Sequence, residues 1–121
     1  MEGKGRITGH TGLLALIGSP VGHSGSPAMY NYSFEKLGLD YAYVAFDIKV
    51  EEVKAALDAM RLFHMRGCNV TMPCKTEAAK YMDELSPAAR IIGAVNTIVN
   101  ENGKLIGHMT DGEGFVGNLR D

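Results

Sequence analysis

Apolar and polar positions along the chain switch between two periods, and the switches mark the elements. Residues 13–17 (LLALI) form an unbroken apolar run stopped by Gly18 and Pro20, as in a strand covered on both faces. Ser26 then places a capping hydroxyl before Pro27 at a first helical position, and Gly38 supplies a residue tolerant of positive φ. Residues 27–37 are therefore predicted helical, with Tyr30, Phe34 and Leu37 facing inward. The aromatic and β-branched run 41–47 (YAYVAFD) predicts a second strand. Over 51–63, Val53, Ala56, Leu57, Met60 and Phe63 recur at helical spacing behind acidic residues in the first turn.

Residues 67–71 (GCNVT) read as a short strand ended by Pro73, with Cys68 and Val70 on one face and Asn69 and Thr71 on the other. A helix is predicted over 75–82, and Ser86-Pro87 with Gly93 repeats the cap, proline and terminator pattern around 88–92. The runs 95–100 and 104–109 flank Asn102-Gly103, a strong hairpin signal. The predicted fold class is α/β: a three-layer α/β/α arrangement with a mostly parallel mixed sheet, carrying one antiparallel hairpin near the C-terminus.

Composition narrows the function. A chain of 121 residues with 45% apolar and 21% charged residues fits one globular domain. Twelve Lys and Arg against 14 Asp and Glu give a net charge of −2, which offers no basic field for a phosphate backbone, so nucleic acid is not an expected partner. The 13–17 run is far below the ~20 residues of a membrane span and the ~7–15 of a secretory core, so no membrane partner is expected and a cytoplasmic location is. Cys68 and Cys74 lack CxxC spacing and the four histidines do not pair as ligands, so no metal is expected.

Ligands of open α/β sheets sit beyond the carboxyl ends of strands, and three segments there are unusual. Residues 18–27 (GSPVGHSGSP) run from a strand into a helix N-terminus, where free N–H groups attract an anion and the hydroxyls of Ser24 and Ser26 can donate to a carboxylate; a plain N-cap at Ser26 is the competing reading. In residues 69–75 (NVTMPCK), Asn69 and Thr71 share a face. Lys75 falls near a helix start, where the dipole opposes a cation and favours a neutral, proton-accepting amine; a solvated surface lysine is the alternative. Asp111 follows a strand and precedes a predicted helix, so it is either an N-cap or a carboxylate partner of Lys75. Gly112, Gly114 and Gly117 spell G-x-G-x-x-G. The dinucleotide fingerprint requires a complete βαβ unit with an acidic residue about 20 positions on, and no nucleotide is placed there.

Four motifs occur in order: residues 17–27 (IGSPVGHSGSP), 69–75 (NVTMPCK), 93–97 (GAVNT) and 110–112 (TDG). Together they span nearly the whole chain from Leu13, and they resemble the shikimate dehydrogenase family, particularly its quinate/shikimate dehydrogenase branch. The resemblance implies that residues 1–110 are the substrate-binding catalytic domain and 111–121 the start of a helix connecting to an NAD(P)-binding Rossmann domain outside the chain. It implies Ser24 and Ser26 on the substrate carboxylate, Thr71 and Asn96 on ring hydroxyls, and Lys75 with Asp111 as the catalytic pair. The implied reaction is reversible oxidation of a ring hydroxyl of shikimate or quinate with NADP or NAD, Lys75 taking the proton. A homodimer is one assembly left open, and the 121 residues alone are expected to be inactive. Two positions depart from the family pattern: Met109 stands where Asn is usual, and Cys74 where an aromatic or aliphatic residue is common. A stand-alone module that binds a polyhydroxy carboxylic acid without transforming it uses the same pocket and is the rival reading.

Overall fold

The computed structural model describes residues 5–110. The chain forms β1 (Gly12–Gly18), α1 (Ser26–Leu37), β2 (Tyr41–Asp47), a single 3-10 turn (Val50–Glu52), α2 (Val53–Leu62), β3 (Gly67–Val70), α3 (Lys75–Ala79), β4 (Glu84–Leu85), α4 (Pro87–Ile92), β5 (Thr97–Glu101) and β6 (Lys104–His108). The six strands make one sheet in the order β2-β1-β3-β5-β6-β4. Pairs β1–β2, β1–β3 and β4–β6 are parallel, whereas β3–β5 and β5–β6 are antiparallel. The mixed sheet and the terminal hairpin agree with the expectation from sequence. Asn102 (φ 54°) and Gly103 (φ 95°) both take the left-handed conformation that a tight two-residue hairpin turn requires.

Alternation along β1 divides the core in two. Leu14 and Leu16 point to one face and pack with Val21, Tyr43 and the Tyr30 and Phe34 side chains of α1. Ala15 and Ile17 point to the other, where Val53, Leu57 and Met60 of α2, Ala78 of α3 and Ala89 of α4 close over Cys68, Val70, Ile98 and Leu105. Helices thus cover both faces.

Helices α1 and α2 end differently from the periodicity-based expectation. Leu37 is 50% exposed and Phe63 66% exposed. In each case the helix reverses through a left-handed residue, Gly38 (φ 68°) or His64 (φ 53°). The residue after it returns to the helix: the Leu39 N–H donates to the Phe34 carbonyl at 2.9 Å and the Met65 N–H to the Met60 carbonyl at 3.0 Å. Leu39 and Met65 therefore occupy the core positions that periodicity assigns to Leu37 and Phe63. At the other helix starts, Ser86 caps α4 as expected, its hydroxyl accepting the Ala89 N–H at 3.2 Å. Residues 50–52 form a 3-10 turn ahead of α2, and the helix expected over 75–82 stops at Ala79.

β2 is an edge strand, and side chains close its outer side. The Asn31 amide donates to the Tyr43 carbonyl at 2.8 Å and accepts the Tyr43 N–H at 2.9 Å, and the Arg6 guanidinium donates to the Tyr41 carbonyl. Asn31→Ala removes both bonds to Tyr43. It is expected to lower the unfolding free energy by about 1–3 kcal/mol, read as a reduced urea midpoint with an unchanged m-value; an unaltered midpoint contradicts the clamp.

Candidate active site

Two loops cross at the carboxyl ends of β1 and β3. The Ser19 N–H donates to the Met72 carbonyl at 3.0 Å, the Thr71 N–H to the Ile17 carbonyl at 2.9 Å, and the Ile48 N–H to the Gly18 carbonyl at 2.9 Å. The Ser19–Pro20 and Met72–Pro73 peptide bonds in these loops are cis. Gly18 permits the crossing: its φ is 151°, and a Cβ there would lie 2.3 Å from Thr71 Cγ2 and 2.9 Å from the Met72 carbonyl oxygen.

Above the crossing lies a cleft of about 270 Å³ in which Ser24, Ser26, His23 and Thr71 stand over Leu16 and Val21. Ser26 is the first residue of α1 rather than its cap. Gly25 holds the cap position without a side-chain bond, and the Ser24 hydroxyl accepts the Ser26 N–H at 3.1 Å. That bond uses a lone pair of Ser24 Oγ and leaves its hydrogen to donate. No acidic residue occupies the first turn of α1, so the positive end of the helix is uncompensated locally. The cleft therefore combines two hydroxyls, a helix N-terminus and a threonine, a set suited to a small carboxylate with hydroxyl groups. A larger hollow of about 460 Å³ beneath α2 is lined almost wholly by apolar side chains and offers no such donors.

Lys75 opens α3, four residues beyond Thr71. Its carbonyl accepts the Val95 N–H at 3.1 Å, which draws the approach to β5 against the start of α3. Among the described residues its ammonium makes no ion pair. The neighbouring Cys74 is buried, its thiol 3.9 Å from the Ile48 carbonyl, and burial raises that thiol's pKa.

Asn96 is held more tightly than the sequence indicates. Its Nδ2 donates to the Thr110 carbonyl and its Oδ1 accepts the Thr110 N–H at 2.9 Å, so one of its two amide hydrogens is committed to the chain. Thr110 directly precedes Asp111, which lies outside the described residues together with Gly112, Gly114 and Gly117. Met109 is partly buried against the core.

Three neighbours of the site escape sequence reasoning. His23 borders the cleft. Thr97 is fully buried, 3.1 Å from Asn96 Oδ1, and the Tyr43 phenol donates to Asn69 Oδ1 at 2.9 Å. Burial, with Tyr30 beside it, holds the Tyr43 phenol protonated well above its usual range. The alternation of residues 67–71 marked Asn69; nothing local marks Tyr43, which reaches Asn69 across β1. Among the described residues no group of His, Cys, Asp and Glu could hold a metal, and no helix is long and apolar enough to cross a membrane.

Residues 16–98 match the family described as the shikimate dehydrogenase substrate binding domain. The shikimate dehydrogenase (NADP(+)) of Listeria monocytogenes serotype 4b (strain F2365) is 53% identical over 116 residues, covering 96% of this chain and 40% of that protein. A crystal structure of shikimate 5-dehydrogenase from Listeria monocytogenes in complex with shikimate and NAD superposes with a TM-score of 0.86 at 52% identity, over 96% of this chain and 40% of that one. The ligand-free 5-ketofructose reductase of Gluconobacter sp. strain CHM43 superposes with a TM-score of 0.83 at 31% identity, over 93% of this chain and 41% of that one. The chain thus spans about 40% of the length of these relatives.

Gly18→Ala is expected to destabilise the chain by about 1–3 kcal/mol and to displace Thr71 from the cleft. Urea unfolding and the amide chemical shifts of Thr71 and Ser24 check it. A variant of unchanged stability and spectrum would show that the loop crossing tolerates a side chain.

Proposed function

The chain belongs to the shikimate dehydrogenase family, and from that premise we propose that it supplies the substrate-binding and proton-transferring part of an NAD(P)-dependent dehydrogenase acting on shikimate or quinate. The observation that carries this reading is the convergence of Ser24, Ser26 and Thr71 in one cleft, with Lys75 opening the adjacent helix. In this reading the serine hydroxyls and the N-terminus of α1 take the substrate carboxylate. Thr71 and the remaining amide hydrogen of Asn96 take ring hydroxyls. Lys75 Nζ receives the proton of the hydroxyl being oxidised and returns it in the reverse direction, and Asp111 orients the amine. A binding module has no evident need of the Lys75 and Asp111 pair.

The β1–α1 turn does not suit a dinucleotide. The space over Gly18, where a pyrophosphate would approach the backbone, is filled by Thr71 and Met72. We therefore assign NADP or NAD, and the hydride chemistry it supplies, to a domain of a longer protein beyond residues 111–121. Two free, buried thiols fit a reducing, cytoplasmic compartment.

Calorimetric titration of the full-length protein tests the substrate class, using shikimate, quinate and a neutral ketohexose, the last because one relative is a 5-ketofructose reductase. The two carboxylates should bind and the ketohexose should not. Ser24→Ala should weaken shikimate binding by about 1.5–3 kcal/mol, the loss of one hydrogen bond to a charged group; unchanged affinity would remove the carboxylate from that position. Lys75→Ala should lower kcat roughly 100- to 10,000-fold with a much smaller change in KM, and parallel losses in both would refute the proton-transfer role.

A further inference from the structure

Thr97 is fully buried among the described residues, and its hydroxyl lies within hydrogen-bonding distance of the Asn69, Asn96 and Thr110 side chains. The register places it opposite Asn69 on β3 and opposite His108 on β6. Hydrogen-bond directions around it are constrained in sequence. The Tyr43 phenol donates to Asn69 Oδ1 at 2.9 Å, which turns Asn69 Nδ2 toward Thr97 Oγ1 and the Asn96 carbonyl, each at 3.4 Å. With its oxygen receiving that amide, Thr97 directs its single hydrogen to Asn96 Oδ1 at 3.1 Å or shares it with Thr110 Oγ1 at 3.2 Å. Asn96 Oδ1 also accepts the Thr110 N–H and its Nδ2 donates to the Thr110 carbonyl, so the Thr97 hydroxyl is a further bond that favours the same amide orientation.

We propose that Thr97 is a positioning residue whose hydroxyl steadies the Asn96 amide in the orientation that clamps the backbone of Thr110, from which the chain passes directly to Asp111. The same segment holds Lys75, whose carbonyl accepts the Val95 N–H at 3.1 Å. Residues 95–97 thus bond both to Lys75, through the backbone, and to Thr110, through a side-chain amide that Thr97 steadies. The effect on turnover rests on the dehydrogenase reading above; the clamp itself does not.

The test uses the full-length protein with Thr97→Val, which keeps the shape and removes the hydroxyl, and Thr97→Ser, which keeps the hydroxyl. Amide hydrogen exchange followed by NMR reads the clamp without reference to activity. Exchange at Thr110 should rise at least about 10-fold in Thr97→Val, with Leu16 and Val99 unchanged, and return to within about 3-fold of wild type in Thr97→Ser. In parallel, kcat/KM for shikimate should fall roughly 10- to 100-fold in Thr97→Val and recover in Thr97→Ser. Unaltered exchange at Thr110 in a folded Thr97→Val protein, or no recovery in Thr97→Ser, overturns the proposal. Should Thr97→Val fail to fold, Tyr43→Phe, which releases Asn69, should raise Thr110 exchange about 3-fold, and no change there also overturns it. Faster exchange in a protein whose wild type leaves shikimate unoxidised supports the clamp and overturns only the substrate reading.

Discussion

The reversal of direction between β3 and β5 is the constraint on which the rim of the sheet depends. Parallel strands bring only their own carboxyl ends to one side. Because β5 runs against β3, with Asn69 opposite Thr97, the residues leading into β5 arrive where β3 finishes. The Asn96 carbonyl then accepts the Val70 N–H at 2.9 Å, and the Asn96 N–H donates to the His108 carbonyl at 3.0 Å. One short segment is stitched to β3 and β6 at once. The turn that delivers it is built by α4, capped by Ser86 and ended at Gly93 with a φ of 77°.

Polar and apolar requirements are separated by face. Asn69 stands opposite Leu16, on the side of the sheet that α1 covers, and the hydrogen-bonded chain from Tyr43 through Asn69 to Thr97 runs over that side. The opposite face is packed by aliphatic side chains and the two cysteines. Among the described residues no buried side-chain nitrogen or oxygen lacks a partner, so the polar row is satisfied within the fold. The cleft needs that arrangement, because its hydroxyls must be held by neighbours and still retain hydrogens for a ligand.

Local signals proved sufficient wherever the deciding contact was local. Gly38 and Gly93 end helices in the left-handed conformation, Asn102-Gly103 turns a hairpin, and the apolar run 13–17 is buried from Leu14 onward. Sequence reading failed at helix ends that reverse the chain and where a distant contact decided. Periodicity gave inward positions to Leu37 and Phe63, but the reversals at Gly38 and His64 hand them to Leu39 and Met65. β4 has two residues, too few to show a period, and exists because Asp83 and Ser86 on either side bond to β6. Ser24, Ser26, Thr71 and Lys75 were recognisable as chemistry-bearing residues, and Asn96 entered through the family resemblance. That Asn96 spends much of its amide on Thr110, and that Tyr43 reaches it through Asn69 and Thr97, depends on strand order and register, which no window of sequence contains.

Cys68, in the middle of β3 under α2, has a further consequence. Its side chain is almost wholly enclosed and burial pushes its thiol up to about 12. At neutral pH the group is therefore held as the thiol rather than the thiolate that electrophiles require. Enclosure and protonation together make this sulfur slow to alkylate while α2 and the sheet stay packed, so faster labelling would report a loosening of that packing.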